Sequence, residues 1–209
     1  RTRPRRDRCA SGLVRRVAAI ATPISFVLNG DVVTVDTEPD LGASLLTVLR
    51  ERLGIMSAKD GCAPQGQCGC CTVLVDGEPR VACVTPAARV DGRTVTTVEG
   101  LDPTTRAETA DAFVATGGSQ CGFCTPGIVT RFAGTRARDV DRALAAHLCR
   151  CTGWLTVRDA VAGAVQEPGR DLDAAAQRAA LETGGPPRVD PDVPLGGGAF
   201  AGLDRIRDI

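Results

Sequence analysis

Apolar and polar residues alternate along Ile24-Ser25-Phe26-Val27-Leu28 and again along Val33-Thr34-Val35, on either side of Asn29-Gly30. Period-two alternation around an Asn-Gly pair predicts a β-hairpin with a two-residue turn. The period then changes. Leu45, Val48, Leu49 and Leu53 recur at helical spacing, with Ser44 placed as the N-cap and Gly54 as the C′ stop. A Gly- and Cys-rich loop follows over 60–71. Thr72-Val73-Leu74-Val75, the pair Asp76-Gly77 and Val81-Ala82-Cys83 predict a second hairpin, and Val95-Thr96-Thr97-Val98 a last strand. Two hairpins, a crossing helix and a final strand make a small α+β sheet unit over 23–100.

After Leu101-Asp102-Pro103 the pattern turns helical, with helices predicted over 106–116, 125–134, 139–148 and 156–165. Thr125-Pro126 and Thr156 fit helix starts, Pro being tolerated in the first turn. The stretch 101–166 therefore reads as a compact unit of four helices. From 167 to 209 Pro and Gly recur, and the segment reads as a linker or tail with one short helix at 172–181.

Composition narrows the class. The chain has 209 residues, 43% hydrophobic and 24% charged, with a formal net charge of zero. That balance argues against a dedicated nucleic-acid binder. No apolar run reaches the roughly 18 residues of a membrane span. Aromatics are only 3%, so the cores must be built from Val, Leu, Ile and Ala. All the basic residues except Lys59 are Arg, and they crowd the segment 1–22. The apolar stretch after Arg15-Arg16 is too short for an export signal, so 1–22 reads as a solvated basic arm and the expected location is cytoplasmic.

Ten cysteines carry the chemistry. Cys62, Cys68, Cys70, Cys71 and Cys83 lie in or just after the 60–71 loop. Cys121-x-x-Cys124 and Cys149-x-Cys151 form a second set, and Cys9 stands alone in the arm. Disulfides fit poorly with a reducing compartment. A tetrahedral zinc site suits the second set better than the first. The first set approaches the plant-type [2Fe–2S] loop, C-x₄-C-x₂-C with a distant fourth Cys. Cys68-x-x-Cys71 matches its inner pair, Cys62 lies one residue further out, and Cys83 suits the fourth place. Glycines 61, 66 and 69 let the backbone wrap closely and aim N–H groups inward. Such donors are what a polyanionic cluster needs.

Three segments then carry a resemblance. Gly61-Cys-Ala-Pro-Gln-Gly-Gln-Cys-Gly-Cys-Cys-Thr-Val-Leu-Val-Asp-Gly77, Gln120-Cys-Gly-Phe-Cys-Thr-Pro-Gly127 and Leu148-Cys-Arg-Cys-Thr-Gly153 make residues 24–163 similar to the two-cluster iron–sulfur subunits of the molybdenum hydroxylases, the xanthine dehydrogenase, aldehyde oxidase and carbon monoxide dehydrogenase family. The resemblance implies an N-terminal β-grasp, plant-ferredoxin-like domain followed by a four-helix [2Fe–2S]-binding domain. It implies Cys62, Cys68, Cys71 and Cys83 as ligands of one cluster, and Cys121, Cys124, Cys149 and Cys151 as ligands of the other. Gln120 corresponds to a glutamine that approaches the pterin. Molybdopterin and FAD are expected on partner chains or domains. Pro186 through Ala199 looks like the connector of fused members.

The resemblance also implies a function, in which the chain relays single electrons from a molybdopterin hydroxylase subunit to a flavin subunit or other acceptor, and is not catalytic alone. No nucleic acid or membrane is expected as partner. Two other readings of the cysteines remain beside it: a zinc-stabilised interaction module, and a free ferredoxin-like carrier.

The chain departs from the family pattern in places. Five residues separate Cys62 from Cys68 where four are usual. Cys70 stands where Ala is usual and reads as a small packed thiol, not a fifth ligand. The 24 residues between Cys124 and Cys149 are fewer than the family habit, so the two central helices must be short. Ala146 and His147 replace Gly-Asn, and Trp154 replaces a Tyr. His147, the only histidine, is expected at a helix end touching solvent or a partner. Trp154 is expected as a core or interface anchor.

Overall fold

A computed structural model describes residues 22–37, 42–134, 140–162, 177 and 192–197. The predicted arm 1–22 (all but its last residue), the helix at 172–181 (residue 177 apart) and Cys9 lie outside the described residues. The first hairpin forms as its alternation demands: β1 (Thr22–Leu28) pairs antiparallel with β2 (Asp31–Thr37). Asn29 and Gly30 both take positive φ, 53° and 100°, the two-residue turn that matches strand twist. The second hairpin pairs β3 (Thr72–Val75) with β4 (Glu78–Val81) around Asp76-Gly77, again both at positive φ. β5 (Thr94–Thr96) runs parallel to β1 and antiparallel to β3, so the sheet order is β2-β1-β5-β3-β4.

One helix crosses this sheet. Ser44 caps α1 (Leu45–Thr47), its hydroxyl accepting from the Thr47 N–H at 3.1 Å. The helix then widens into a π turn over Val48–Arg52, where the Leu53 N–H reaches the Val48 carbonyl. Of the apolar stripe read from the sequence, Leu45, Val48 and Leu49 are buried and Leu53 is partly buried; with Leu46 they pack with Phe26, Val73, Val75 and Val95 in a first core.

The second half is helical. Asp102 caps α2 (Pro103–Thr116), accepting from the Thr105 N–H at 2.9 Å, with Pro103 in the first turn. Gly117 ends it in the left-handed conformation. α3 (Thr125–Gly134), α4 (Val140–Leu144) and α5 (Trp154–Ala162) follow. A second core gathers Phe113, Ile128, Val129, Leu144 and Val157.

β3 joins the two halves. Val73 and Val75 face the first core while Leu74 faces the second. An unbroken apolar run of this kind is the signature of a strand buried on both faces. α3 lies so close against it that a Cβ on Gly134 would meet the Leu74 side chain at 2.2 Å and the Gly77 carbonyl at 2.9 Å.

Several boundaries differ from the sequence reading. Cys83 is not on a strand: β4 stops at Val81 and Ala82–Val84 is a 3-10 turn. The departure turns the Cys83 N–H toward Cys71 Sγ at 3.4 Å. α4 ends at Leu144, not at 148, because the Leu148 N–H is taken by the Cys68 carbonyl instead of by its own helix. α5 begins at Trp154, ahead of Thr156. Part of the segment read as a tail is packed: Val193–Leu195 forms a 3-10 turn with Pro194 buried. No helix among the described residues is long and apolar enough to cross a membrane.

Candidate metal centres

The 60–71 loop is drawn around its own sulfurs. Cys62 Sγ accepts from the Gln65 N–H at 3.3 Å, and Cys71 Sγ from the Cys83 N–H. Burial opposes ionisation of Cys62. The N–H groups of Gln67, Cys68 and Gln65 outweigh it and draw its pKa down to about 6. The thiol of Cys68 lies within hydrogen-bond reach of Cys62, and that of Cys71 within reach of Cys83. Burial pushes Cys71 up to about 12 and raises Cys83 as well. With Cys62 also beside Cys83, the four sulfurs form one group.

The extra residue of this loop is taken up in a tight turn. Ala63 adopts φ 53°, and its N–H donates to Asp60 Oδ1 at 3.0 Å. Gly61 has no room for a side chain, since a Cβ there would stand 3.0 Å from both Cys68 Sγ and Phe123 Cε1. Gly66, at φ 69°, sits beneath the Val84 methyls.

The second group forms where two turns meet. Cys121 and Cys124 precede α3, and Cys149 and Cys151 lie between α4 and α5. Cys121 Sγ accepts from the Phe123 N–H at 3.5 Å. Cys149 Sγ lies 3.1 Å from Thr152 Oγ1, which in turn donates to the Gly118 carbonyl at 3.2 Å. The side chains pair as Cys124 with Cys149 and Cys121 with Cys151. Hydrogen bonding from Cys124 and then from Thr152 outweighs burial and brings Cys149 down to about 4. Its partner Cys124 is raised, by that same bond first and by burial second. The bond to Cys121, then burial, raises Cys151.

These surroundings fit thiolate-held iron. Each group offers sulfur donors in two close pairs, turned toward one another, with backbone N–H groups aimed at sulfur. A [2Fe–2S] cluster takes two protein thiolates on each iron.

Gln120 is exposed beside Cys121. Trp154 is 46% exposed at the start of α5 and Leu148 57% exposed before Cys149, so an apolar rim borders the second group. Trp154 is thus not a core residue. The expectation for His147 is overturned: it is 1% exposed. Its ring lies so close to Gly69 that a Cβ there would meet Nδ1 at 2.4 Å. Burial, and then the charge of Arg131, lower its pKa to about 4. A lone histidine before Leu-Cys-Arg-Cys carried no signal of this. The pairing of Gly69 with a facing loop was equally invisible in the sequence.

Residues 97–162 match the family described as a [2Fe-2S] binding domain. The chain is 35% identical over 151 residues to the nicotinate dehydrogenase small FeS subunit of Eubacterium barkeri, covering 68% of this chain and 94% of that protein. It is 43% identical over 148 residues to a xanthine dehydrogenase of Drosophila pseudoobscura pseudoobscura, covering 62% of this chain but only 11% of that much longer protein. Among solved structures, a chain of quinoline 2-oxidoreductase from Pseudomonas putida 86 superposes with a TM-score of 0.62 at 32% identity, over 79% of this chain and 99% of that one.

Proposed function

The chain belongs to the iron–sulfur subunits and domains of the molybdenum hydroxylases, and from that membership we propose that it is a two-cluster relay, with Cys62, Cys68, Cys71 and Cys83 holding one [2Fe–2S] cluster and Cys121, Cys124, Cys149 and Cys151 the other. Residues 23–100 are then a ferredoxin-like domain of β-grasp type, 101–166 a four-helix domain, and part of 167–209 a connector toward a molybdenum domain. The observation that carries the reading is the sorting of eight thiols into two groups, each made of two close pairs.

A [2Fe–2S] cluster, when bound, supplies a one-electron acceptor. The protein's task is to hold it and balance its charge. In the first group the N–H groups of Gln65, Gln67 and Cys68 supply positive dipoles to Cys62 without a full charge. In the second, the N–H groups of Thr152 and Cys151 do the same for Cys149. The Leu148 N–H bonded to the Cys68 carbonyl joins a residue beside Cys149 to a residue of the first group through a single hydrogen bond. Cys121, Cys124, Cys149 and Cys151 would hold the cluster that accepts single electrons from the molybdopterin-binding partner, and Cys62, Cys68, Cys71 and Cys83 the cluster that would hand them to a flavin subunit or other acceptor. Exposed Gln120, Leu148 and Trp154 give the second cluster a surface on which the molybdopterin partner can close, with Gln120 facing the pterin.

Anaerobic purification followed by iron and acid-labile sulfide assays tests this directly. The expected result is a brown protein with both elements and two distinct EPR signals after reduction. A colourless protein holding zinc, or none of these after reconstitution, refutes it. Co-purification with a molybdenum-containing chain separates the relay from a free carrier.

A further inference from the structure

Three arginines frame one cleft beside the first sulfur group. The cleft holds about 420 Å³ and is lined by Arg80, Arg89 and Arg93 around apolar side chains that include Val75, Val84 and Val90. No carboxylate lines it.

Two separate segments bring the arginines together. Arg80 lies on β4 opposite Val73, so it shares the face of the sheet that covers the first core. Arg89 lies in the 3-10 turn Ala87–Val90, and Arg93 follows that turn. A charge turned inward on an edge strand such as β4 blocks pairing with another sheet. That role accounts for Arg80 alone, and not for the two arginines that line the cleft with it. Arg93 donates to Asp76 at 3.1 Å, with both side chains about half exposed. Arg80 and Arg89 are exposed, and neither forms an ion pair with another described residue. The cleft therefore presents two positive charges that no described carboxylate offsets.

Val84 joins the cleft to the sulfur group. It follows Cys83 in the chain, and its methyls stand 3.2 Å from where a Gly66 side chain would begin. It is nevertheless 55% exposed. One side chain thus forms a wall of the cleft and a cover of the 60–71 loop.

We propose that this cleft is the docking surface for the electron acceptor, a partner chain that meets Arg80, Arg89 and Arg93 with surface carboxylates. The inference rests on the reading of Cys62, Cys68, Cys71 and Cys83 as the ligands of a cluster whose electron leaves the chain. Guanidinium groups match carboxylates in paired hydrogen bonds. Arg beside an apolar patch is the make-up of a protein interface. Opposite charges on the two partners raise the rate of encounter. One electron crosses to the acceptor, no bond forms or breaks, and no proton moves.

The test has two arms on the full chain, as wild type, as the double variant Arg80→Glu/Arg89→Glu, and as the double variant Arg80→Lys/Arg89→Lys. The first arm needs no iron: calorimetry measures binding of a hexaglutamate peptide in low salt. The wild type should bind it, the Lys variant should keep most of that binding, and the Glu variant should bind roughly tenfold more weakly. Arg158→Glu, on α5, should change nothing. The second arm is stopped-flow oxidation of the reduced, iron-loaded chain by ferricyanide and by hexaammineruthenium(III). The Glu variant should react roughly tenfold more slowly with the anion and faster with the cation. Both differences should vanish in about 1 M salt, where the screening length is about 3 Å. Equal peptide binding by wild type and Glu variant, or oxidation rates that the Glu variant leaves unchanged, overturns the proposal while leaving the relay intact. Block of peptide binding by inorganic phosphate but not by sulfate at equal ionic strength makes the cleft a small-anion site and overturns it too. Absence of iron from the wild type ends the relay and the acceptor's role together, while the first arm still shows whether the cleft takes carboxylates.

Discussion

The N–H of Leu148 donates to the carbonyl of Cys68 at 3.0 Å. This one bond ties the turn before Cys149 to the loop that holds Cys68 and Cys71. It is reinforced by contacts that leave no space for side chains. A Cβ on Gly69 would meet His147 Nδ1 at 2.4 Å and the Ala146 carbonyl at 2.5 Å, and one on Gly127 would meet the Gly69 carbonyl at 2.4 Å. The two sulfur groups are therefore set relative to each other by backbone in direct contact with backbone.

Gly127→Ala tests that contact through its sign. In the interior of an exposed helix this change stabilises by about 1 kcal/mol, because Gly is the poorer helix former. Here the new methyl group meets the Gly69 carbonyl and the Cys70 carbonyl, which are backbone atoms that cannot swing away. The expected outcome is a loss of about 1–3 kcal/mol, as for overpacking. Denaturant unfolding of the full chain checks it, and a stabilised variant would show that the two loops are not in contact.

Cys124→Ser should remove one EPR signal and leave the other. Cys124 pairs with Cys149, while the first group shares no ligand with it. Iron should fall from about four atoms per chain to about two. Disappearance of both signals from a protein that keeps its helical circular dichroism would show that the groups do not hold separate clusters.

Ala63→Gly should stabilise the protein slightly. Ala63 sits at φ 53°, in a region that costs an L-residue about 1–2 kcal/mol. Glycine removes that cost but adds about 0.5–1 kcal/mol of unfolded-chain entropy. The net gain should be about 0.5–1 kcal/mol, read as a raised thermal midpoint. A lowered midpoint would mean that the five-residue spacing is accommodated elsewhere than in the turn from Asp60 to Ala63.

Phe113→Ala should damage the helical half more than the sheet. Phe113 is fully buried in the core formed with Ile128, Val129 and Val157. Truncating such a ring costs about 3–5 kcal/mol. Hydrogen exchange should show amides of α2 and α5 losing protection ahead of those in β1 and β3. Uniform loss across both halves would mean that the two cores unfold as one.

Much of this molecule was decided locally and could be read from the chain alone. Asn29-Gly30 and Asp76-Gly77 set their turns because each pair tolerates positive φ. Ser44 set a helix start because its side chain satisfies an N–H group that has no helical partner, whereas the helix predicted from 106 begins at Pro103, capped by Asp102. The Cys-rich motifs carried the resemblance to iron–sulfur subunits that the comparisons show. What the chain alone did not reveal depends on segments far apart in sequence. The sequence reading put His147 in contact with solvent or a partner, and the fold buries it against Gly69. The strand predicted through Cys83 breaks after Val81 so that its N–H meets Cys71 Sγ, and α4 stops early because Cys68 claims the N–H of Leu148. Val193–Leu195, read as tail, packs beside Gly122. Residue type and spacing determine which groups are able to bond. Tertiary packing determines which of them compete for the same donor or the same space, and at these positions it outweighed the local pattern.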